Sequence, residues 1–169
     1  MATGDITHAL VADGTPLVDD GHWNDGHVVD LAFAIYTRSA GNYSTSSTSF
    51  VDIDSTNLVF TITTGAHRVR LNQVVHVLSG ATANQQIYFD VMIDGVRQGG
   101  ATGLFGFRNA NDTTQRRWGA NFSWLTDVLT AGSHTFKFQY AVGSGTATLV
   151  TDGTNSIGQW SVEETLLTT

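Results

Sequence analysis

The stretch "QQIYFDVMIDG", residues 85–95, decides the fold class. Ile87, Phe89, Val91 and Ile93 alternate with Gln86, Tyr88, Asp90 and Met92, a period of two that puts the apolar set on one side of an extended chain. A helix would scatter the same residues around its circumference. The run ends in Asp94-Gly95, the dipeptide a type I′ turn needs because both central residues take positive φ, so a tight hairpin into "VRQGG" is expected.

The alternation recurs on both sides. "NLVFTITTG" places Leu58, Phe60 and Ile62 on one face, and "HRVRLNQVVHVLSG" does the same with Val69, Leu71, Val75 and Val77, interrupted by Gln73. "HTFKFQYAVGSG" contributes Phe136, Phe138, Tyr140 and Val142, and its closing "GSG" (residues 143–145) suggests a second hairpin into "TATLV". Weaker strands fit "AIYTRS", "TSFVDID", "GLFGFR", "RWGANFSWL", "TATLV" and "GQWSVEE", whereas "SAGNYSTSSTS" reads as a polar loop. About ten strands are too many for one small sheet and suit an all-β sandwich of two packed antiparallel sheets. The sole proline, Pro16, lies before this region, as strands that need every backbone N–H require.

The 169 residues suit one domain preceded by a short arm. Only 14 % of them are charged against a usual share of about 25 %, so Ser, Thr, Asn, Gln and Gly must build much of the surface. Without cysteine there is neither a disulfide framework nor a thiolate metal site. Residues 1–30 hold six acids and no Lys or Arg, and residues 31–169 hold nine acids against eight bases. The expected organisation is therefore a mostly irregular acidic N-terminal arm, 1–30, and a β head, 31–169. A net charge of −7 argues against nucleic acid, which demands a basic face. No basic n-region leads an apolar segment and no apolar run is long enough to span a bilayer, so a soluble chain without processing is expected.

The second faces of the strands mix apolar and polar groups. On "RVRLNQVVHVL" that face carries Val74, His76 and Leu78, and on "IYFDVMID" it carries Tyr88 and Met92. These five are the candidate subunit interface, because half-apolar outer faces usually become interfaces and self-association is the simplest way to cover them.

"GHWNDGHVVD", residues 21–30, concentrates chemistry ahead of the head. His22 and His27 with Asp19, Asp20 and Asp25 offer nitrogen and oxygen donors, but their spacing matches no structural zinc motif, and a polar docking turn anchored by Trp23 is preferred. The carboxylate pairs Asp52/Asp54 and Asp90/Asp94 lie on shared strand faces, yet both run into turns with ordinary structural causes, and no nucleophile or metalloprotease motif accompanies them. Asp90, Asp94, Asn109, Asn111 and Asp112 have no calcium-loop spacing. No catalytic residue, metal or cofactor is expected. Trp118 and Trp124, with Arg116 and Asn121, form a candidate glycan contact, weighed against packing because Trp118, Phe122 and Trp124 share one face.

Two segments carry a family resemblance. "VADGTPLVDDGHWNDGHVV", with Trp23, Asn24 and His27 as a W-N-x-x-H core, resembles the N-terminal stretch of tailed-phage tail-fibre and other virion proteins. "STSSTSFVDIDSTNLVFTITT", "YFDVMIDGVRQGG" and "AGSHTFKFQYAVGSGTATL" resemble the jelly-roll heads of phage fibre and capsid-decoration proteins, similar in plan to trimeric tumour necrosis factor-like and complement-type domains. The resemblance implies a trimeric, non-enzymatic structural component on the virion surface, made in the host cytoplasm. In it Trp23, Asn24 and His27 dock the arm onto other capsid or tail proteins, and the jelly roll faces outward. Since the repetitive shaft of long fibres is missing, a short knob or decoration protein fits best. The alternative is a carbohydrate-binding module that attaches to a host-surface glycan.

Overall fold

Among the described residues the period-two runs become fourteen antiparallel strands, and there is no helix. The computed structural model describes residues 31–80, 82–109, 114–154 and 156–167, within one compact unit, Leu31–Thr169. The first seven strands are β1 (Phe33–Arg38), β2 (Tyr43–Thr45), β3 (Val51–Asp52), β4 (Val59–Thr64), β5 (Val69–Val74), β6 (His76–Ser79) and β7 (Gln86–Ile93). The rest are β8 (Val96–Arg97), β9 (Phe105–Arg108), β10 (Arg117–Gly119), β11 (Phe122–Leu125), β12 (Gly132–Val142), β13 (Ala147–Val150) and β14 (Gly158–Glu164).

Three ladders form: β1-β14-β5-β11, β10-β6-β13-β2, and β3-β12-β7-β8 with β4 also on β12 and β9 also on β7. The first two continue into each other. Val75 alone separates β5 from β6, and Val69, Leu71, Gln73, Val75 and Val77 are all buried, so one alternation runs through both. Where β10 gives way to β11, the Ala120 N–H donates to the Val75 carbonyl at 2.7 Å and the Val75 N–H donates to Asn121 Oδ1 at 3.0 Å, which repairs the ladder. On the opposite flank residues 39–42 and 151–154 leave the sheet together. There the Thr151 N–H donates to Asn42 Oδ1 at 2.9 Å and the Thr151 hydroxyl to the Gly41 carbonyl.

Counting each interrupted strand once gives eight positions in chain order: β1/β2, β3/β4, β5/β6, β7, β8/β9, β10/β11, β12 and β13/β14. One layer then reads 1-8-3-6 and the other 2-7-4-5. The chain changes layer at every step except from 4 to 5. That step is the Asp94-Gly95 hairpin, with φ of 49° and 85° and Ile93 opposite Val96, as its turn chemistry predicts.

Several expectations need correction. Residues 143–145 make no hairpin, because β12 pairs with β3, β4 and β7 while β13 pairs with β2 and β6. Glycine permits a reversal without choosing the strand that receives the chain. "SAGNYSTSSTS" is not all loop: it contains β2, held by the Tyr43 ring edge-on to Trp160 at 6.2 Å. "RWGANFSWL" breaks into β10 and β11 at Ala120-Asn121, and the total exceeds ten because long strands in both layers are interrupted.

The core lies between the layers. Phe136, Phe138, Phe89, Leu71, Leu149 and Trp160 are fully buried, and each such side chain contributes about 1.5–3 kcal/mol relative to exposure. Phe122 of β11 spans the gap, 6.3 Å from Phe138 and 6.5 Å from Phe89 between ring centres. Gln73, which interrupts the apolar set of the β5–β6 alternation, is satisfied at both ends. Its Nε2 donates to the Ala120 carbonyl at 3.0 Å, and its Oε1 accepts the Trp160 indole N–H at 2.8 Å. Gln73→Met keeps the volume but orphans a buried donor and a buried acceptor. Denaturant titration should show a loss of about 2–4 kcal/mol, whereas an unchanged midpoint would mean that water replaces the amide.

Candidate functional site

The outer face of β1-β14-β5-β11 is built by lateral register. Ile35, Ser161, Asn72 and Ser123 stand in one row, and Phe33, Glu163, Arg70 and Leu125 in the next. Thr37, Gln159 and Val74 form a third. The long side chains stand at the margins and the two serines sit between them, which leaves a groove of about 510 Å³ lined by Ile35, Asn72, Val74, Ser123, Ser161 and Glu163 among others. The groove floor is a closed hydrogen-bond set. Asn72 Nδ2 donates to Ser161 Oγ at 3.1 Å and to Glu163 Oε1 at 3.2 Å, and the Ser161 hydroxyl donates to the same carboxylate oxygen at 3.1 Å. Such mutual orientation fixes the floor in one arrangement.

Apolar groups border that floor. Phe33 is 55 % exposed, Ile35 49 % and Val74 50 %, and the first two project from β1, which among the described residues lies at the edge of its ladder and pairs only with β14. A six-residue edge strand with large apolar side chains on its outer face invites association. The interface residues chosen from sequence do not converge. Val74, His76 and Leu78 belong to layer one, while Tyr88 and Met92 lie on β7 in layer two, with Asp90 between them buried beneath the connection from β8. Parity assigns a face within each strand but cannot say that β5 and β7 occupy different layers. Phe33 and Ile35 were missed because β1 is apolar on both faces: Ala34 and Tyr36 pack against the core while their neighbours point outward.

The glycan quartet is also dispersed. Phe122 and Trp124 pack against the core, and Trp118, 38 % exposed, leans on Phe107 with ring centres 6.4 Å apart. Asn121 holds the Val75 N–H, and the Arg116 backbone exchanges hydrogen bonds with Ser79. Trp23, Asn24 and His27, with His22, Asp19, Asp20 and Asp25, lie outside the described residues, as do Asn111 and Asp112.

The described carboxylates of the sequence's acid pairs all hold structural partners. Asp52 accepts from Lys137 Nζ at 3.0 Å and Gln139 Nε2 at 2.7 Å. Asp90, fully buried, accepts from Arg97 Nε at 2.8 Å and the Gly99 N–H at 2.9 Å. Burial pushes the Asp54 carboxyl up, but hydrogen bonds from the Tyr43 hydroxyl at 2.6 Å, from Asn57 and from the Thr56 N–H outweigh it and hold it well below the usual carboxylate range. Glu164 behaves similarly: burial is overcome by the N–H groups of Ala32 and Gly65 and by His67 Nδ1 at 2.8 Å. Both ring nitrogens of His134 face acceptors, Asp94 Oδ2 at 2.7 Å and the Thr130 carbonyl at 2.8 Å, and only an imidazolium donates through both. The Asp94 hydrogen bond and then the Thr130 carbonyl raise the His134 pKa against burial. The Thr135 N–H, against burial and with help from His134, lowers that of Asp94.

No family model and no curated protein matches the chain. Among solved structures it overlaps dimeric latent PorU from Porphyromonas gingivalis at 10 % identity and a TM-score of 0.39, over 83 % of this chain and 13 % of that one. It overlaps infectious bursal disease virus, Gt strain, at 10 % identity and 0.35, and the VP2 subviral particle of that virus at 12 % and 0.32. Each covers 78 % of this chain and 37 % of the other. The chain thus spans well under half the length of the structures it overlaps.

The His134–Asp94 pair sets a pH dependence. The His134 contribution is complete below the ordinary histidine value and is lost as pH rises through the raised folded value. The Asp94 contribution is complete above the ordinary carboxylate value and is lost as pH falls through the depressed one. The melting-temperature gap between wild type and His134→Gln should therefore be wide near about pH 5.5 and narrow near about pH 9. A gap independent of pH would mean that His134 packs as the neutral ring.

Proposed function

We propose that this chain is a structural, non-enzymatic virion-surface knob that assembles with copies of itself, most simply as a homotrimer of jelly-roll heads. The orders 1-8-3-6 and 2-7-4-5 are those expected when a folded ribbon of chain is wound into two Greek keys, which is jelly-roll winding. The observation that carries the reading is the pairing of ridge and groove on one outer face. Phe33 and Ile35 stand on an edge strand, and the Asn72–Ser161 floor lies beside them. A ridge that enters a neighbour's laterally displaced groove makes a head-to-tail contact, and head-to-tail contacts close into rings when the rotation permits. The engaged carboxylates favour a scaffold over an enzyme, and the likeness of the Trp23-Asn24-x-x-His27 segment to virion proteins supports docking through residues 1–30.

Light scattering on a sizing column is the test. The wild type should run near three times the 18.1 kDa of one chain, and Ile35→Lys should give a monomer with an unchanged circular dichroism spectrum. A wild type that stays monomeric at about 100 μM would end the self-assembly reading. Removing residues 1–30 should leave a folded head that no longer joins particles, and normal incorporation of the shortened chain would refute the docking role.

A further inference from the structure

Layer two carries a second groove, on the outer face opposite the one just described. Gln86 pairs laterally with Arg108 and Tyr88 with Gly106. Their neighbours Ile87 and Phe89 are buried, and Phe105 and Phe107 pack against the core, so these four positions face outward together. Three of the four have long side chains and the fourth has none. A Cβ on Gly106 would approach Tyr88 Cδ1 to 2.9 Å, so the ring lies over that backbone and glycine is required to admit it. With Thr102 and Leu104 closing one end, the groove has about 400 Å³, within the usual range of roughly 300–1,000 Å³ for ligand sites.

Two donor groups at this groove have no side-chain partner among the described residues. The Tyr88 hydroxyl donates to Gln86 Oε1, which orients the amide, and the Gln86 NH₂ makes no hydrogen bond among the described residues. Arg108, exposed, likewise has no carboxylate partner among them, although the chain has nearly twice as many acids as bases. An oriented amide donor, an exposed guanidinium and an aromatic ring converge on a small open space. The ring suits the C–H face of a pyranose, the guanidinium suits a carboxylate in bidentate geometry, and the amide suits a hydroxyl. Arg108 is the one Lys or Arg lining the groove, and a single cation on a chain of net charge −7 suits one anionic group per bound unit and disfavours a polyphosphate.

We propose that this groove binds a sugar ring that bears a carboxylate, with Tyr88 beneath the ring, Arg108 on the carboxylate and Gln86 on a hydroxyl. The site belongs to layer two alone and does not depend on self-assembly. It places glycan recognition on layer two, apart from Trp118 and Trp124.

The test is calorimetric titration of the full chain with galacturonic acid oligomers and with neutral galactose oligomers of equal length. The acidic oligomer should bind with a Kd of about 1 mM or tighter and at least about tenfold better than the neutral one. Arg108→Gln should abolish that preference, and Tyr88→Ala should weaken binding about tenfold. Tyr88→Phe, which keeps the ring over Gly106, should retain most of the affinity and so separates stacking from any damage to the fold. Melting temperature and native mass, recorded for each variant, separate failure of this site from failure of assembly. The proposal is overturned by absent saturable binding of the acidic oligomer, by equal binding of the neutral one, or by wild-type affinity in Arg108→Gln.

Discussion

Layer one depends on the amide of Gln73. A side chain that is 1 % exposed must satisfy both its donor and its acceptor, and Gln73 does so between strands that are far apart in sequence. Its Nε2 holds the bend at Ala120, and its Oε1 fixes the Trp160 indole. The indole in turn meets Tyr36 at 6.5 Å and Tyr43 at 6.2 Å between ring centres, which ties β1 and β2 to the rest of the layer. Glycine at 158 belongs to the same arrangement, since a Cβ there would strike the Trp160 ring at 2.6 Å. All four strand positions of layer one are therefore brought to one geometry by one polar group, and an aliphatic residue at 73 would pack without specifying it.

The two outer faces divide the molecule's surface chemistry. Layer one presents exposed aliphatic and aromatic groups around a hydrogen-bonded floor, a surface that water wets poorly and a matching copy could cover. Layer two places its spare donors at the β7–β9 edge and seals the middle of the sheet with the loop that buries Asp90. Arg97, which answers that carboxylate, also stacks 4.0 Å over the Phe50 ring, so the seal is packed as well as charged. Assembly on one face would leave the groove on the other accessible.

Charge in this chain mostly serves the backbone. Asp54, Asp94 and Glu164 each accept main-chain N–H groups at places where a strand begins, turns or ends; those bonds help hold their pKa values down, alongside the Tyr43 and Asn57 side chains at Asp54. Glu164 holds Ala32 from both sides, through its carboxylate and through its own N–H, and so fixes the start of the β head. Against that background Arg108 stands out: it is exposed beside a groove and makes no such structural bond among the described residues.

Local physics made much of the fold legible in the sequence. Side chains on an extended chain alternate by necessity, so the sets at 58–62, 69–77, 87–93 and 136–142 identified strands and their buried faces, and Asp94-Gly95 identified its hairpin. Even the interruption at Gln73 was visible, though not its purpose, because a buried amide can be justified only by partners at 120 and 160. What tertiary structure decided is which layer each strand enters. Residues 143–145 turn the chain across the sandwich instead of back along it, and Val74 and Tyr88, alike by parity, end on opposite faces. The same holds for the sites: Trp118 and Trp124 share a face by parity, but the structure leans Trp118 on Phe107 and packs Trp124 against the core. The Tyr88–Gly106 groove exists only because strands nearly twenty residues apart pair in that register. Periodicity is a property of neighbouring residues along the chain, whereas layer assignment and groove formation depend on which distant surface each face is buried against.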